Sequence, residues 1–197
     1  MRAVLLDLDG VIRHFDKAHV ASIERRHGLA DGSLESFAFA TPLITDVTTG
    51  RVSRAEWVER IGRHVGSPAA AAEWGVQPWT VDDDVLALAD ELRALGLTTA
   101  VLTNGTDTIA DEVAASGIDA HVDAVFNSAE IGYVKPDARA FAHVLDALGL
   151  DATSVFFTDD SPSKLAGAAA IGMPTHLFTG SRALRAALRA AGVGVRG

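Results

Sequence analysis

Asp7 and Asp9 stand two residues apart at the end of the apolar run 4–8. Thr103 with Asn104, then Lys135, then Asp159 with Asp160 follow in order along the chain. Carboxylates that leave room for water and phosphate oxygens suit magnesium, which typically takes one or two of them. A lysine and a hydroxyl–amide pair suit the remaining oxygens of a phosphate. Asp7 is the candidate nucleophile, because an aspartate can accept a phosphoryl group as an acyl phosphate; a lysine and a metal would disperse the charge of the two anions that meet there. Asp9 is the candidate acid for the leaving oxygen and the later base for water. It must start protonated, which neighbouring carboxylates favour. Each of these residues, taken alone, also reads as a turn or helix-capping residue after a strand; their joint order points to phosphate chemistry.

Bringing them together is a task for the fold. Short apolar runs at 4–8, 98–103, 124–126, 154–158 and 175–178 read as strands of a parallel sheet covered on both faces. Helical patterns at 84–95, 106–116, 138–148 and 163–171 alternate with them, each followed or closed by Gly. The fold class is therefore α/β, a doubly wound parallel sheet of the Rossmann-like kind, whose ligand site lies beyond the carboxyl ends of the strands. Between the first strand and the helix near Asp84 lie more than 70 residues of helical character, at 17–27, 33–39, 42–49 and 53–64. They read as an inserted small helical cap domain, residues 14–80, with the core domain made of 1–13 and 81–197. Ser53 and Glu56 have the spacing of a capping box.

Composition bounds the partners. The 197 residues amount to roughly one and a third domains. Seventeen Lys and Arg against 26 Asp and Glu leave a net charge of −9, which repels nucleic acid and anionic membranes. No cysteine is present, so disulfides, zinc–thiolate sites and cysteine nucleophiles are excluded, in keeping with a cytoplasmic protein. The first residues do not read as a signal peptide, and no apolar run approaches the ~20 residues of a membrane span. The expected partner is a small phosphorylated metabolite, with no nucleic acid and no membrane, for a monomer or homodimer.

Other residues read more plainly. The seven histidines lack metal-ligand spacing. His14 reads as a hinge residue, with a specificity role as the alternative. Asp82, Asp83 and Asp84 open a helix. Leu184 and Leu188 share one face of an amphipathic tail helix, and Arg182, Arg185 and Arg189 another. Trp57, Trp74 and Trp79 read as core of the insert, with a place in a substrate pocket as the alternative. There is no P-loop, no dinucleotide fingerprint after a strand and no serine nucleophile elbow.

The runs Asp7-Leu8-Asp9-Gly10-Val11, Leu102-Thr103-Asn104, Gly132-Tyr133-Val134-Lys135-Pro136-Asp137 and Phe157-Thr158-Asp159-Asp160 resemble the four ordered motifs of the haloacid dehalogenase superfamily. The helical insert is similar to that superfamily's small cap. The resemblance implies Asp7 as nucleophile and magnesium ligand, and Asp9 as acid/base that also offers its main-chain carbonyl to the metal. It implies Thr103 and Lys135 on the phosphoryl group, Asn104 contributing beside them, and Asp159 and Asp160 on the metal, Asp160 directly or through water. Because the superfamily's dehalogenases lack the second aspartate, Asp9 favours a phosphatase. The segment 49–57 and the Pro78-Trp79 stretch are similar to the branch with sugar-phosphate phosphatases and the phosphatase domain of soluble epoxide hydrolases. Lys164 departs from the pattern, standing where many relatives carry asparagine; it reads as a surface residue on the first turn of its helix, with a disturbance around Asp160 as the alternative. The implied activity is magnesium-dependent hydrolysis of a phosphomonoester through an aspartyl-phosphate, sugar phosphates first. A phosphomutase, a 2-haloacid dehalogenase and a catalytically weak regulatory binding domain are the alternatives.

Overall fold

Two apolar layers, one on each side of a five-stranded parallel sheet, hold the core together. The computed structural model describes residues 1–196, the side chain of Lys17 apart. Its sheet runs β5-β4-β1-β6-β7, with β1 at Ala3–Leu6, β4 at Thr98–Thr103, β5 at Ala124–Asn127, β6 at Val155–Asp159 and β7 at Thr175–Leu177. Ala3 of β1 pairs with Thr98 and Val155, so β1 is central. Successive side chains point to opposite faces. Val4 and Leu6 pack with helices α6 (Asp83–Ala94), α7 (Ile109–Ser116) and α11 (Ser181–Ala190), while Ala3 and Leu5 pack with α9 (Ala138–Leu148) and α10 (Pro162–Ala170). The short α8 (Ser128–Ile131) follows β5.

The insert has a core of its own. Its helices are α1 (Lys17–Arg26), α2 (Ser33–Ala38), α3 (Leu43–Thr48), α4 (Arg54–Val65) and α5 (Pro68–Trp74), gathered around Ile23, Leu34, Val47, Trp57, Ile61 and Trp74. The buried Glu24 carboxylate accepts from the backbone N–H of Gly32 and Leu34, at 2.7 and 2.9 Å, and so ties α1 to α2. The chain leaves and re-enters the core through an antiparallel pair, β2 (Arg13–Phe15) and β3 (Trp79–Val81). The insert also rests on the core beside α8. Ser128 Oγ donates to the Thr48 carbonyl at 2.5 Å, and a Cβ on Gly50 (φ +73°) would stand 2.2 Å from the Ala129 carbonyl oxygen.

Several boundaries differ from the sequence reading, for local reasons. The first strand stops at Leu6, not at residue 8, because the chain turns there: the Leu8 carbonyl accepts from the N–H groups of Ile12 and Arg13. The helix expected from residue 106 begins at Ile109, after a turn in which the Thr106 and Thr108 hydroxyls bond each other at 3.0 Å. The β2–β3 pair, α5 and α8 were not foreseen. Three-residue strands and a four-residue helix carry almost no periodicity, whereas α5 did show its start, a Ser67 N-cap followed by Pro68. Only half of the expected capping box forms. Ser53 Oγ accepts from Glu56 N at 3.2 Å, but the Glu56 carboxylate turns to Arg60. Asp82 caps α6 as expected, accepting from Val85 N at 3.1 Å. No helix among the described residues is long and apolar enough to cross a membrane.

The tail helix α11 is fixed to α6 by Glu91, whose carboxylate accepts from Arg185 Nη1 and from the Arg196 backbone N–H, both at 2.6 Å. Its pKa falls from the ordinary 4.5 to about 2, first through the Arg185 hydrogen bond and then through that N–H. A carboxyl depressed in the folded state adds stability above its unfolded pKa and loses it as pH falls through the folded one. Glu91→Gln should therefore lower unfolding stability by about 1–2 kcal/mol at neutral pH. In denaturant titrations the gap to the parent should close as pH drops from 4.5 towards 2.

Candidate active site

At the carboxyl edge of the sheet, the ammonium of Lys135 lies between two carboxylates. Nζ is 2.8 Å from Asp7 Oδ1 and 2.7 Å from Asp159 Oδ2, and the three side chains are 0%, 1% and 0% exposed. Asp7 follows β1, Asp159 ends β6, and Lys135 comes from the loop between α8 and α9, so parallel topology brings together residues far apart in sequence. The Leu8 N–H also donates to Asp7 Oδ1, at 2.7 Å. The ring of Phe157 lies 5.4 Å from Lys135 Nζ. Burial alone would raise the Asp7 carboxyl, but Lys135 and then Lys164 outweigh it and hold Asp7 below the ordinary carboxylate range. Asp159 moves the other way, pushed up to about 6 by burial first and by the charge of Asp7 second.

The remaining residues divide into those that reach this centre and those that shape it. Asp160 is exposed, and one carboxylate oxygen each from Asp7, Asp159 and Asp160 lies within 4.8 Å of the others. Three hard oxygen ligands at a strand edge fit magnesium. Gly10 (φ +89°) makes room for Asp160, since a Cβ on it would sit 2.1 Å from Asp160 Oδ2. Thr103 ends β4 and is buried. Asn104 is occupied with Lys135: its Oδ1 accepts from the Lys135 backbone N–H at 2.7 Å and its Nδ2 donates to the Lys135 carbonyl at 2.9 Å. From the other side, Gly167 of α10 lets that loop pack closely, because a Cβ there would stand 1.8 Å from the Pro136 carbonyl oxygen.

Lys164 corrects the sequence reading. It is not a surface residue: Nζ is 3.2 Å from Asp7 Oδ2 and 3.9 Å from Asp159 Oδ1, with the side chain 27% exposed. Helix α10 begins at Pro162, shortly after β6 ends at Asp159, so its first turn lies at the strand edge. Burial disfavours the ammonium, yet Asp7 and Asp159 raise its pKa. Arg13, which sequence reasoning passed over, holds the Asp9 carboxylate through Nε–Oδ1 at 2.5 Å and Nη2–Oδ2 at 3.1 Å. Its other nitrogen, Nη1, bonds Glu112 Oε2, and Arg54 of the insert reaches Glu112 Oε1 at 2.8 Å. A basic residue four places after Asp9 was the available signal. His14 pairs loosely with Asp82, 3.7 Å away, on the connecting strand.

Asp7 and Asp159 at neighbouring strand ends, joined by a lysine from a distant loop, with a second aspartate and a helical insert after the first strand, define a hydrolase class more than any one residue does. Residues 1–172 match the haloacid dehalogenase-like hydrolases, and the chain belongs to that family. It is 31% identical over 118 residues to a GMP/IMP nucleotidase of Escherichia coli, a match covering 59% of this chain and 52%, about half, of that protein. A phosphatase of Mycobacterium tuberculosis is 28% identical over 201 residues, covering 89% of this chain and 86% of the relative. In fold, the chain is similar to a family enzyme of Bacteroides thetaiotaomicron solved with magnesium, with a TM-score of 0.78 at 21% identity over 94% of this chain and 98% of the other.

Lys164 sets an ammonium beside two of the three carboxylates that fit a cation. In Lys164→Ala, magnesium measured by isothermal titration calorimetry should bind about tenfold tighter, one competing charge having been removed. Unchanged or weaker binding would mean that Lys164 does not oppose the cation.

Proposed function

We propose that the protein is a phosphomonoesterase of small phosphorylated metabolites, acting through an aspartyl-phosphate on Asp7. One observation carries this reading: a buried carboxylate, held ionised by two lysines, stands at the strand edge beside two further carboxylates. Asp7 attacks phosphorus, the bond from phosphorus to the alcohol oxygen breaks, and the alcohol leaves with a proton supplied by Asp9. In the second step Asp9 takes a proton from water as the water oxygen attacks phosphorus, releasing phosphate and restoring the Asp7 carboxylate. Lys135 keeps the nucleophile charged and meets the phosphoryl oxygens, a task shared by Thr103 at the end of β4. Asn104 serves as a positioning residue, fixing the peptide of Lys135. Magnesium, held by Asp7, Asp159 and Asp160, would supply positive charge against the phosphoryl oxygens. In the structure Asp9 is paired with Arg13, so serving the leaving oxygen requires it to leave that pair.

The named activities of the relatives, a nucleotidase and phosphatases, agree with this reaction class. A dehalogenase or phosphomutase on the same nucleophile is the competing chemistry. Asp7→Asn should lower phosphate release by on the order of 10³-fold or more while its circular dichroism matches the parent. EDTA should stop the parent enzyme and added magnesium restore it. Phosphate release by Asp7→Asn near the parent rate would remove Asp7 from the reaction.

A further inference from the structure

Both carboxylate oxygens of Asp9 are engaged. Nε and Nη2 of Arg13 take one each, at 2.5 and 3.1 Å, and an arginine that grips a carboxylate in this way makes one of the stronger charged contacts. Asp9, Arg13 and Arg54 all line a cavity of about 290 Å³ between the insert and the core. A leaving group that enters it meets a carboxylate already held by Arg13.

What becomes of the guanidinium when Asp9 turns away depends on its other partner. The Arg13 side chain is 4% exposed, and its guanidinium carbon lies 5.0 Å from the centre of the Phe15 ring and 5.4 Å from that of Trp79. A charge so enclosed is costly to leave unpaired. Its Nη1 bonds Glu112 Oε2, and Glu112 has anchors of its own: Oε1 accepts from Thr108 Oγ1 at 2.7 Å and from Arg54 Nη1 at 2.8 Å. Arg54 is tied down in turn, its Nη2 donating to the Gly75 carbonyl at 2.6 Å and its backbone N–H to Asp107 Oδ1 at 2.8 Å. None of these anchors involves Asp9.

We infer that Glu112 is a positioning residue for the reaction: by keeping the buried guanidinium of Arg13 paired, it lets Asp9 release that guanidinium and turn to the leaving oxygen. The inference rests on the reading of Asp9 as the acid. Without the charge of Glu112, Asp9 is, among the described residues, the carboxylate left to Arg13, and its release strands a buried cation. Without Arg13 as well, no cation is stranded and Asp9 turns freely. A tie between insert and core with no part in the reaction predicts the reverse for the double change, which removes still more of the tie.

The test is kcat/KM for phenyl phosphate and for p-nitrophenyl phosphate, esters of similar shape, the second with a leaving group that needs little help from an acid. In Glu112→Gln the phenyl-to-nitrophenyl ratio should fall about tenfold. Combining Glu112→Gln with Arg13→Gln should return it to within about twofold of the parent, because the two residues act on Asp9 through one contact. Arg13→Gln alone, which carries the test should Glu112→Gln not fold, should leave the ratio at or above the parent value. An unchanged ratio in Glu112→Gln, a double variant no better than that single one, or a fall in Arg13→Gln overturns the inference and leaves the hydrolase in place. A parent inert towards phosphate monoesters overturns the phosphatase reading instead, and the role of Glu112 falls with it.

Discussion

A lysine with no exposed side-chain surface must have its charge answered inside the protein, and Lys135 has two carboxylates within 2.8 Å. Removing the lysine would leave two buried carboxylates facing each other without a cation between them, whereas an amide in place of one carboxylate still leaves the other ion pair. The rest of the core can be read as what this group requires. β1 and β6 lie side by side so that Asp7 and Asp159 face the same point. β4, on the other side of β1, delivers Asn104 to hold the peptide of Lys135, and the missing side chain of Gly167 lets α10 close over the same loop.

The same charges prepare the chemistry. Two ammonium groups keep Asp7 ionised against the pull of burial, and the group that yields is Asp159, whose carboxyl rises to about 6. Next to this centre, a second chain of charges runs from Asp9 through Arg13 and Glu112 to Arg54 of the insert. The proposed acid and the helical insert are thus tied through one carboxylate on α7.

Much of the scaffold was legible because it rests on short-range signals. Apolar runs such as 98–103 announced buried strands, and glycines after residues 116 and 148 announced helix ends. That Asp7, Thr103 and Asp159 come to one edge followed from parallel topology, with Lys135 expected from a loop beside them. Contacts between distant side chains were not legible. Nothing local says that Asn104 clamps a peptide 31 residues away, or that Lys164 reaches a carboxylate 157 residues back. Nor does spacing reveal that Arg13 joins Asp9 to a residue 99 positions on. The β2–β3 pair escaped for a different reason, since three residues on each side carry too little pattern to mark a strand.

The central claim is that a phosphoryl group passes through Asp7, and it can be caught there. Protein quenched during turnover of a phosphate ester, then reduced with borohydride, converts an aspartyl-phosphate to homoserine at the residue that carried it, which peptide mass spectrometry locates. Homoserine should appear at position 7, dependent on substrate and absent when the ester is omitted. Turnover with no homoserine at position 7, or with homoserine at position 9 or 159 instead, would contradict it.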